Sequence, residues 1–144
     1  MDPRIEALSE RERTWIAAHL RIARSFVGAY AGIEPPEGLP TLDDLDAAWS
    51  AWLPQWESHD PNSIINAVGS ALGEHLVAAL GLEWVVVTDE HGTELAVHGE
   101  PYNVIVFPAN LVGKRFQTRT TDFIAPLVKQ MVEEVKRMRA RKQP

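Results

Sequence analysis

Residues 81–98, which read GLEWVVVTDEHGTELAVH, decide the fold of this 144-residue chain. The β-branched and aromatic run at residues 84–88 favours a strand. Gly92 ends the turn that follows, where a glycine can take a positive φ, and residues 93–98 return as the second strand of a hairpin. A third strand is predicted over residues 102–107, so the centre of the chain forms a small antiparallel sheet of about three strands.

Helical patterns flank this sheet on both sides. Apolar residues at three- and four-residue spacing predict five helices, over residues 5–31, 41–53, 60–81, 109–116 and 120–141. Thr41 and Asp60 are natural N-caps, and Gly81 is placed to end the third helix. In the first helix, whose apolar stripe includes Trp15, Ser9 can open a capping box that would move the start of the helix beyond residue 9.

The order of these elements predicts one α+β domain over residues 1–144, with a helical N-terminal part at residues 1–60 and a mixed core at residues 61–144. The short helix and the long C-terminal helix pack back on the sheet. Both faces of the first and third strands are largely apolar, so we expect helices or a partner to cover each face. The third strand is a candidate sheet edge that pairs with a second chain.

The amino-acid composition excludes several classes of protein. Hydrophobic residues make up 45% of the chain and charged residues 24%, as in soluble globular proteins. There is no cysteine, which excludes disulfides, thiolate nucleophiles and cysteine-based metal sites. The N-terminus lacks a signal-peptide pattern and the uninterrupted apolar runs are too short to span a membrane, so we expect a cytoplasmic protein.

Charge is unevenly distributed along the chain. Residues 25–113 carry thirteen acidic residues and no Lys or Arg, whereas residues 114–144 carry nine basic and three acidic residues. Packing of the basic ends against the acidic middle would explain this pattern, and so would a basic partner of the middle segment. The acidic middle repels phosphate, so nucleic acid is not an expected partner there.

Catalytic and metal-binding motifs are absent from the sequence. The histidines do not follow metal-ligand spacing, and Gly69 and Ser70 lie in a helical stripe rather than in a nucleophile elbow. No phosphate-binding or dinucleotide fingerprint occurs, so we expect neither a cofactor nor a metal. Gly69 and Gly73, four residues apart, instead predict that another element approaches this helix closely. These observations favour a non-enzymatic protein.

The clustered tryptophans support the leading functional hypothesis, which is a protein-interaction module. They share a helical face if the helix continues past Pro54, and large aromatic side chains anchor many interfaces. Core packing is the alternative explanation for them. The candidate partner-binding residues are Trp49, Trp52, Trp56, Asp43, Asp44 and Asp46. They would bind a basic protein, as inhibitors of the immunity type do, or a second copy of the chain in a homodimer.

Two other functions remain open. A small-ligand or enzymatic pocket between the sheet and the helices would be lined by Trp84, His98, Tyr102, Lys114 and Arg115. Nucleic-acid binding through the basic C-terminal helix is the third hypothesis, although cations at the end of a helix also complement its dipole. A cavity that holds several converging polar groups would favour the pocket, and a filled, dry core would count against it.

A family resemblance runs through residues 72–74, 81–96, 106–108 and 114–115, which read LGE, GLEWVVVTDEHGTELA, VFP and KR. This pattern resembles a family of small bacterial domains of unknown function, over residues 62–138. The resemblance implies a compact α+β unit, and it implies no activity, cofactor or catalytic residue.

Overall fold

The computed structural model describes residues 2–141. The strands are β1 (Arg4–Ala7), β2 (Glu83–Asp89), β3 (Gly92–Gly99) and β4 (Val104–Val106). The helices are α1 (Glu10–Tyr30), α2 (Leu42–Trp52), α3 (Pro61–Leu80), α4 (Pro108–Gln117) and α5 (Ile124–Arg141). A 3-10 segment, Leu53–Ser58, follows α2 directly. The predicted α+β class is confirmed.

The sheet has four antiparallel strands in the order β1-β2-β3-β4, one more than predicted. The additional strand is β1, which lies at the sheet edge, where Ile5 pairs with Val87. The prediction that residue 5 already belongs to a helix was therefore wrong. All four residues of β1 are exposed, so no apolar alternation marks this strand in the sequence. Its conformation depends on pairing with β2, which is a tertiary contact.

Side-chain caps set where the helices begin and end. The predicted capping box is present: the Ser9 N–H donates to Glu12 Oε1 over 2.7 Å, and the Glu12 N–H donates to Ser9 Oγ over 3.3 Å. This box starts α1 directly after the edge strand. Thr41 and Asp60 cap α2 and α3 as predicted, and Gly81 ends α3 with a φ of 65°.

The last helix, α5, begins at Ile124, which lies within the few residues past Thr120 that Pro126 in the first turn allows. Arg119 and Asp122 have φ values of 56° and 55°, which a right-handed helix cannot contain. The first N–H groups of α5 are capped from another helix, because the two carboxylate oxygens of Asp46 accept the N–H groups of Ile124 and Ala125 over 2.7 and 2.9 Å. Helix α2 thus fixes the start of α5 by a tertiary contact.

Helix α3 is the centre of the core. It packs against α1, α4 and α5, and its buried residues include Leu72 and Leu76. Within residues 2–141, α3 alone is long and apolar enough to cross a membrane by length and composition. Of its apolar window, 56% is buried inside the fold, as expected for the core helix of a small soluble domain.

The two faces of the sheet differ in what packs on them. Val97 belongs to the main core, together with side chains from the helices. Strand register places Val85, Val87 and Ala96 on the opposite face, where they form a second buried cluster. No helical residue in the described part of the chain belongs to that cluster. We call this opposite side the outer face of the sheet; of the two alternatives that the sequence left open, helices on both faces is the one that the described residues do not show.

Candidate functional site

The structure places Trp49 and Trp52 in the core. Both side chains are fully buried, and the Trp49 Nε1–H donates to the Thr120 carbonyl oxygen over 2.9 Å. The Trp49 ring meets the Phe123 ring edge-on, with centroids 5.5 Å apart. Core packing, the alternative explanation of the tryptophan cluster, is therefore correct for these two residues, and their assignment to a partner-binding surface was wrong.

Trp56 is the remaining member of that cluster, and it is only half-buried. It follows α2 in the 3-10 segment, where its ring meets the Phe116 ring edge-on. The Arg119 guanidinium carbon lies 5.4 Å from the centre of the Trp56 ring, which is a cation–π contact. Trp56 therefore contacts the end of α4 rather than extending the face of α2.

The three candidate acidic residues lie in different environments. Asp46 is buried and caps α5, so it is a structural residue and not part of a partner surface. Its burial raises the pKa of the Asp46 carboxyl, whereas the hydrogen bonds from the Ala125 and Ile124 N–H groups act in the opposite direction. Asp43 and Asp44 occupy the first turn of α2, where the helix dipole favours acidic side chains.

The residues predicted to line a pocket do not form one site. Trp84 and Lys114 line the same cleft, as expected. His98 instead bonds to Asn103 Oδ1 over 2.7 Å, and Tyr102 lies in the turn before β4 with a φ of 72°. Arg115 is directed elsewhere, because its guanidinium carbon lies 5.9 Å from the centre of the Phe123 ring. The prediction that His98, Tyr102 and Arg115 share one site with Trp84 and Lys114 was therefore wrong.

A cleft of about 810 Å³ opens between α1, α3, α4 and the inner face of the sheet; we call it the main cleft, and a separate, more apolar cleft of about 840 Å³ lies between α2, α3 and α5. The polar wall of the main cleft consists of side chains from two helices. These side chains are Asn62, Asn66 and Ser70 on α3 and Asn110, Lys114 and Gln117 on α4. The sheet contributes Trp84, Thr93, Glu94 and Leu95. The volume lies within the range of about 300–1,000 Å³ that is typical of small-molecule sites.

Helical spacing explains why these polar groups converge. On α3 they stand at positions i, i+4 and i+8, and on α4 at i, i+4 and i+7, so each set forms one stripe along its helix. The side-chain amides of Asn62, Asn66, Asn110 and Gln117 have no hydrogen-bond partner within residues 2–141. The two stripes therefore present free donors and acceptors to the same space.

Gly69 lines the main cleft, and both Gly69 and Gly73 are in close contact with a neighbouring element, as the sequence predicted. A Cβ atom at position 69 would lie 2.8 Å from the Cα of Ala109 in α4. A Cβ atom at position 73 would lie 2.4 Å from the Trp84 ring and 3.1 Å from Pro108 Cγ. Only glycine permits this approach of α4 and of the indole to α3.

The Trp84 indole lies half-buried across Gly73, at the point where the sheet meets α3. Its Nε1–H is buried and has no hydrogen-bond partner among the residues that the structure describes. The fully buried Trp52 indole has an unpaired Nε1–H within the described part of the chain as well, so this feature is shared with the core.

Trp15 of α1 stands at the end of the main cleft, with 36% of its surface exposed. The His19 ring supports it, because the ring centroids are 3.8 Å apart and His19 Nδ1 bonds to the Trp15 carbonyl oxygen over 2.9 Å. Beyond Trp15 lies a smaller cavity of about 260 Å³, which we call the recess. The helical stripe assigned Trp15 to the core, and the structure instead places its indole between two cavities.

The fold and the cleft define a small α+β domain with its helices packed on one face of an antiparallel sheet. Residues 44–123 match the family described as a domain of unknown function, DUF3806, and the chain belongs to this family. The match covers α3, β2–β4 and α4, which form three sides of the main cleft, and it excludes Trp15. It begins earlier and ends earlier than the segment over which the resemblance was seen in the sequence.

Comparison with other proteins adds evidence on the fold. None of the curated proteins matches the chain. A crystal structure of a protein from Bacteroides thetaiotaomicron VPI-5482 is similar, with a TM-score of 0.71 at 12% sequence identity. The similarity covers 93% of this chain and 48% of that chain, so this chain spans about half the length of its structural neighbour. At this level of identity the likeness establishes a shared fold.

Proposed function

We propose that this protein binds a small polar molecule in the main cleft. The observation that supports the proposal is the convergence on one cleft of side-chain amides from α3 and α4 that bond to no other residue of the described chain. An amide side chain offers donors and an acceptor at once, so a pair of amide stripes matches a ligand that both donates and accepts.

The composition of the cleft favours binding over chemistry. Its lining holds one buried hydroxyl, that of Ser70, and no histidine among the described lining residues. Its charged side chain is that of Lys114, because strand register places the Glu94 side chain on the outer face of the sheet. A nucleophile next to a general base, or two carboxylates that share a substrate, would indicate catalysis, and the lining contains neither pattern.

Backbone rigidity also supports a binding site. The cleft floor is fixed where α3 and α4 touch through Gly69, and Trp84 is held between Gly73 and Pro108. A site built on packed helices and a sheet keeps its polar groups in place, which lowers the entropic cost of binding a ligand. The open mouth lets a ligand enter without local unfolding.

A fragment screen by NMR tests this proposal. We expect neutral polar fragments to shift the side-chain amide signals of Asn66 and Asn110 in a ¹⁵N-labelled sample. Asn66→Ala and Asn110→Ala should each weaken binding of the same fragments. Gln130→Ala is the matched control, because Gln130 is an exposed amide on α5 outside the cleft. Fragments that bind equally well to the Asn66→Ala and Asn110→Ala proteins would contradict the proposal.

We propose binding of another protein, or of a second copy of the chain, as a second candidate function. The outer face of the sheet supports it, because Ile5 is 38% exposed beside Val87 and the acidic Glu94 shares that face. A basic partner would match this acidic surface. Sedimentation analysis of the wild-type protein and of Ile5→Glu tests self-association; equal monomer fractions at high concentration would remove the homodimer.

A further inference from the structure

We infer that the ligand of the main cleft is a neutral oligosaccharide that stacks a sugar ring on Trp15 and continues into the recess. This inference rests on the proposed function, since it names the class of ligand for the same site. It draws on the position of Trp15, the balance of charges and the continuity of the two cavities.

Trp15 provides an aromatic platform at the junction of the two cavities. Its indole lines both the main cleft and the recess, and its exposed surface is one of the largest among apolar residues of the described chain. His19 supports the ring by stacking at 3.8 Å. A pyranose ring has an apolar face of C–H groups and a polar edge of hydroxyls, so it can pack its face on an indole while its edge stays hydrated or hydrogen-bonded.

The polar wall suits hydroxyl groups. Each hydroxyl of a sugar donates one hydrogen bond and accepts others, and each free amide of Asn62, Asn66, Asn110 and Gln117 does both as well. Adjacent hydroxyls on a sugar ring can therefore pair with the two atoms of one amide. The amides stand one or two helical turns apart on α3 and α4, which lets successive hydroxyls find partners along the cleft.

Charge excludes ligands that carry several like charges. Lys114 is the basic side chain of the main cleft, whereas strand register places the Glu94 side chain on the outer face of the sheet. The recess adds one of each, Arg11 and Glu12. Two basic side chains and one acidic side chain therefore face the groove, Lys114, Arg11 and Glu12, so it holds neither the cluster of bases that concentrates a polyphosphate nor the cluster of acids that concentrates a polycation.

The two cavities form one groove that is longer than a single sugar ring. They share Trp15, Thr93, Glu94 and Leu95, so a ligand can pass over the indole from one to the other. Val86 of β2 also lines the recess, which gives this end an apolar floor. This length accounts for the choice of an oligosaccharide over a monosaccharide.

Titration with neutral trisaccharides tests the inference on the full chain. The panel consists of trisaccharides built from glucose, galactose, mannose, xylose or N-acetylglucosamine. We expect at least one to shift the Trp15 indole N–H signal in ¹H–¹⁵N spectra. Trp15→Ala should weaken its binding about tenfold, because the stacking surface is lost. The variant should fold, since the Trp15 side chain is partly exposed.

Leu39→Ala is the matched control, because Leu39 is similarly exposed at 38% and lies outside both cavities. It should bind the trisaccharide as the wild type does. The inference is overturned if none of the trisaccharides binds, or if Trp15→Ala and Leu39→Ala bind equally. In that case, polar fragments that still shift the cleft amides would leave the proposed function standing. If neither sugars nor fragments bind, both fail.

Discussion

Replacement of Gly69 by alanine provides a direct test of how the cleft is built. The new Cβ would lie 2.8 Å from Ala109 Cα, 3.0 Å from Ala109 N and 3.3 Å from the Pro108 carbonyl carbon. These are backbone atoms, so α3 and α4 must separate rather than rotate a side chain aside. Overpacking of this kind costs about 1–3 kcal/mol, and alanine regains about 1 kcal/mol of helix propensity. We expect a net loss of up to about 2 kcal/mol.

The matched control is Gly113→Ala on the facing helix. A Cβ there meets only Ile65 Cγ2, at 3.9 Å, which is an ordinary contact. Because position 113 lies inside α4 and gains helix propensity, we expect a stabilisation of about 0.5–1 kcal/mol. Urea denaturation followed by circular dichroism measures both values. Changes of the same sign at positions 69 and 113 would refute the close helix contact, since propensity alone predicts that both variants gain stability.

Three further predictions concern buried and capping groups. Trp49→Ala should destabilise the chain by about 3–5 kcal/mol in urea denaturation, because it removes a fully buried indole and leaves the Thr120 carbonyl unpaired; a loss under about 1 kcal/mol would place the indole outside the core. Asp46→Asn should lower the free energy of unfolding. The gap between the free energies of unfolding of wild type and variant should narrow as pH rises from about 3.9 through the raised pKa of Asp46, because a group whose pKa is raised in the folded state stabilises the fold most at low pH. A gap that widens over this range would show that the Asp46 pKa is lowered. Ser9→Ala should raise the lowered pKa of Glu12 part of the way towards its usual value in an NMR titration, because the variant keeps the backbone N–H of residue 9, the larger cause of the lowered pKa, and loses the Ser9 side chain, the second cause; an unchanged pKa would contradict the role of the Ser9 side chain in the capping box.

Local signals were sufficient for most of the helices and for the hairpin. Thr41, Asp60 and Gly81 satisfy unpaired backbone groups within their own segments, so the sequence around each residue predicts the boundary. Gly69 and Gly73 predicted close contact for a similar reason, because two glycines within an apolar helix are unfavourable unless something packs on them.

Features that depend on distant contacts were not predictable in the same way. β1 exists because it pairs with β2 about eighty residues later, and α5 starts where Asp46 of α2 caps it. The burial of Trp49 and Trp52 depends on how α2 packs against the segment before α5, which the spacing of tryptophans does not contain. These contacts are long-range, so local pattern leaves them open.

The main cleft could be predicted from the sequence only in part. Its α3 stripe, Asn62, Asn66 and Ser70, is visible in the sequence as polar residues at four-residue spacing on an otherwise apolar helix. That signal could have directed attention to this face of α3. The pairing of this stripe with the one on α4 depends on the helix crossing at Gly69 and could not be read from spacing alone.

Native mass spectrometry of the protein purified from its own host cells tests the central claim most directly. The account predicts a monomer that carries a bound small molecule, and loss of that added mass in the Asn66→Ala, Asn110→Ala double variant. Gln130→Ala should retain it. A bare monomer, or a complex with a second protein that the double variant leaves intact, would contradict the claim that the main cleft is the functional site.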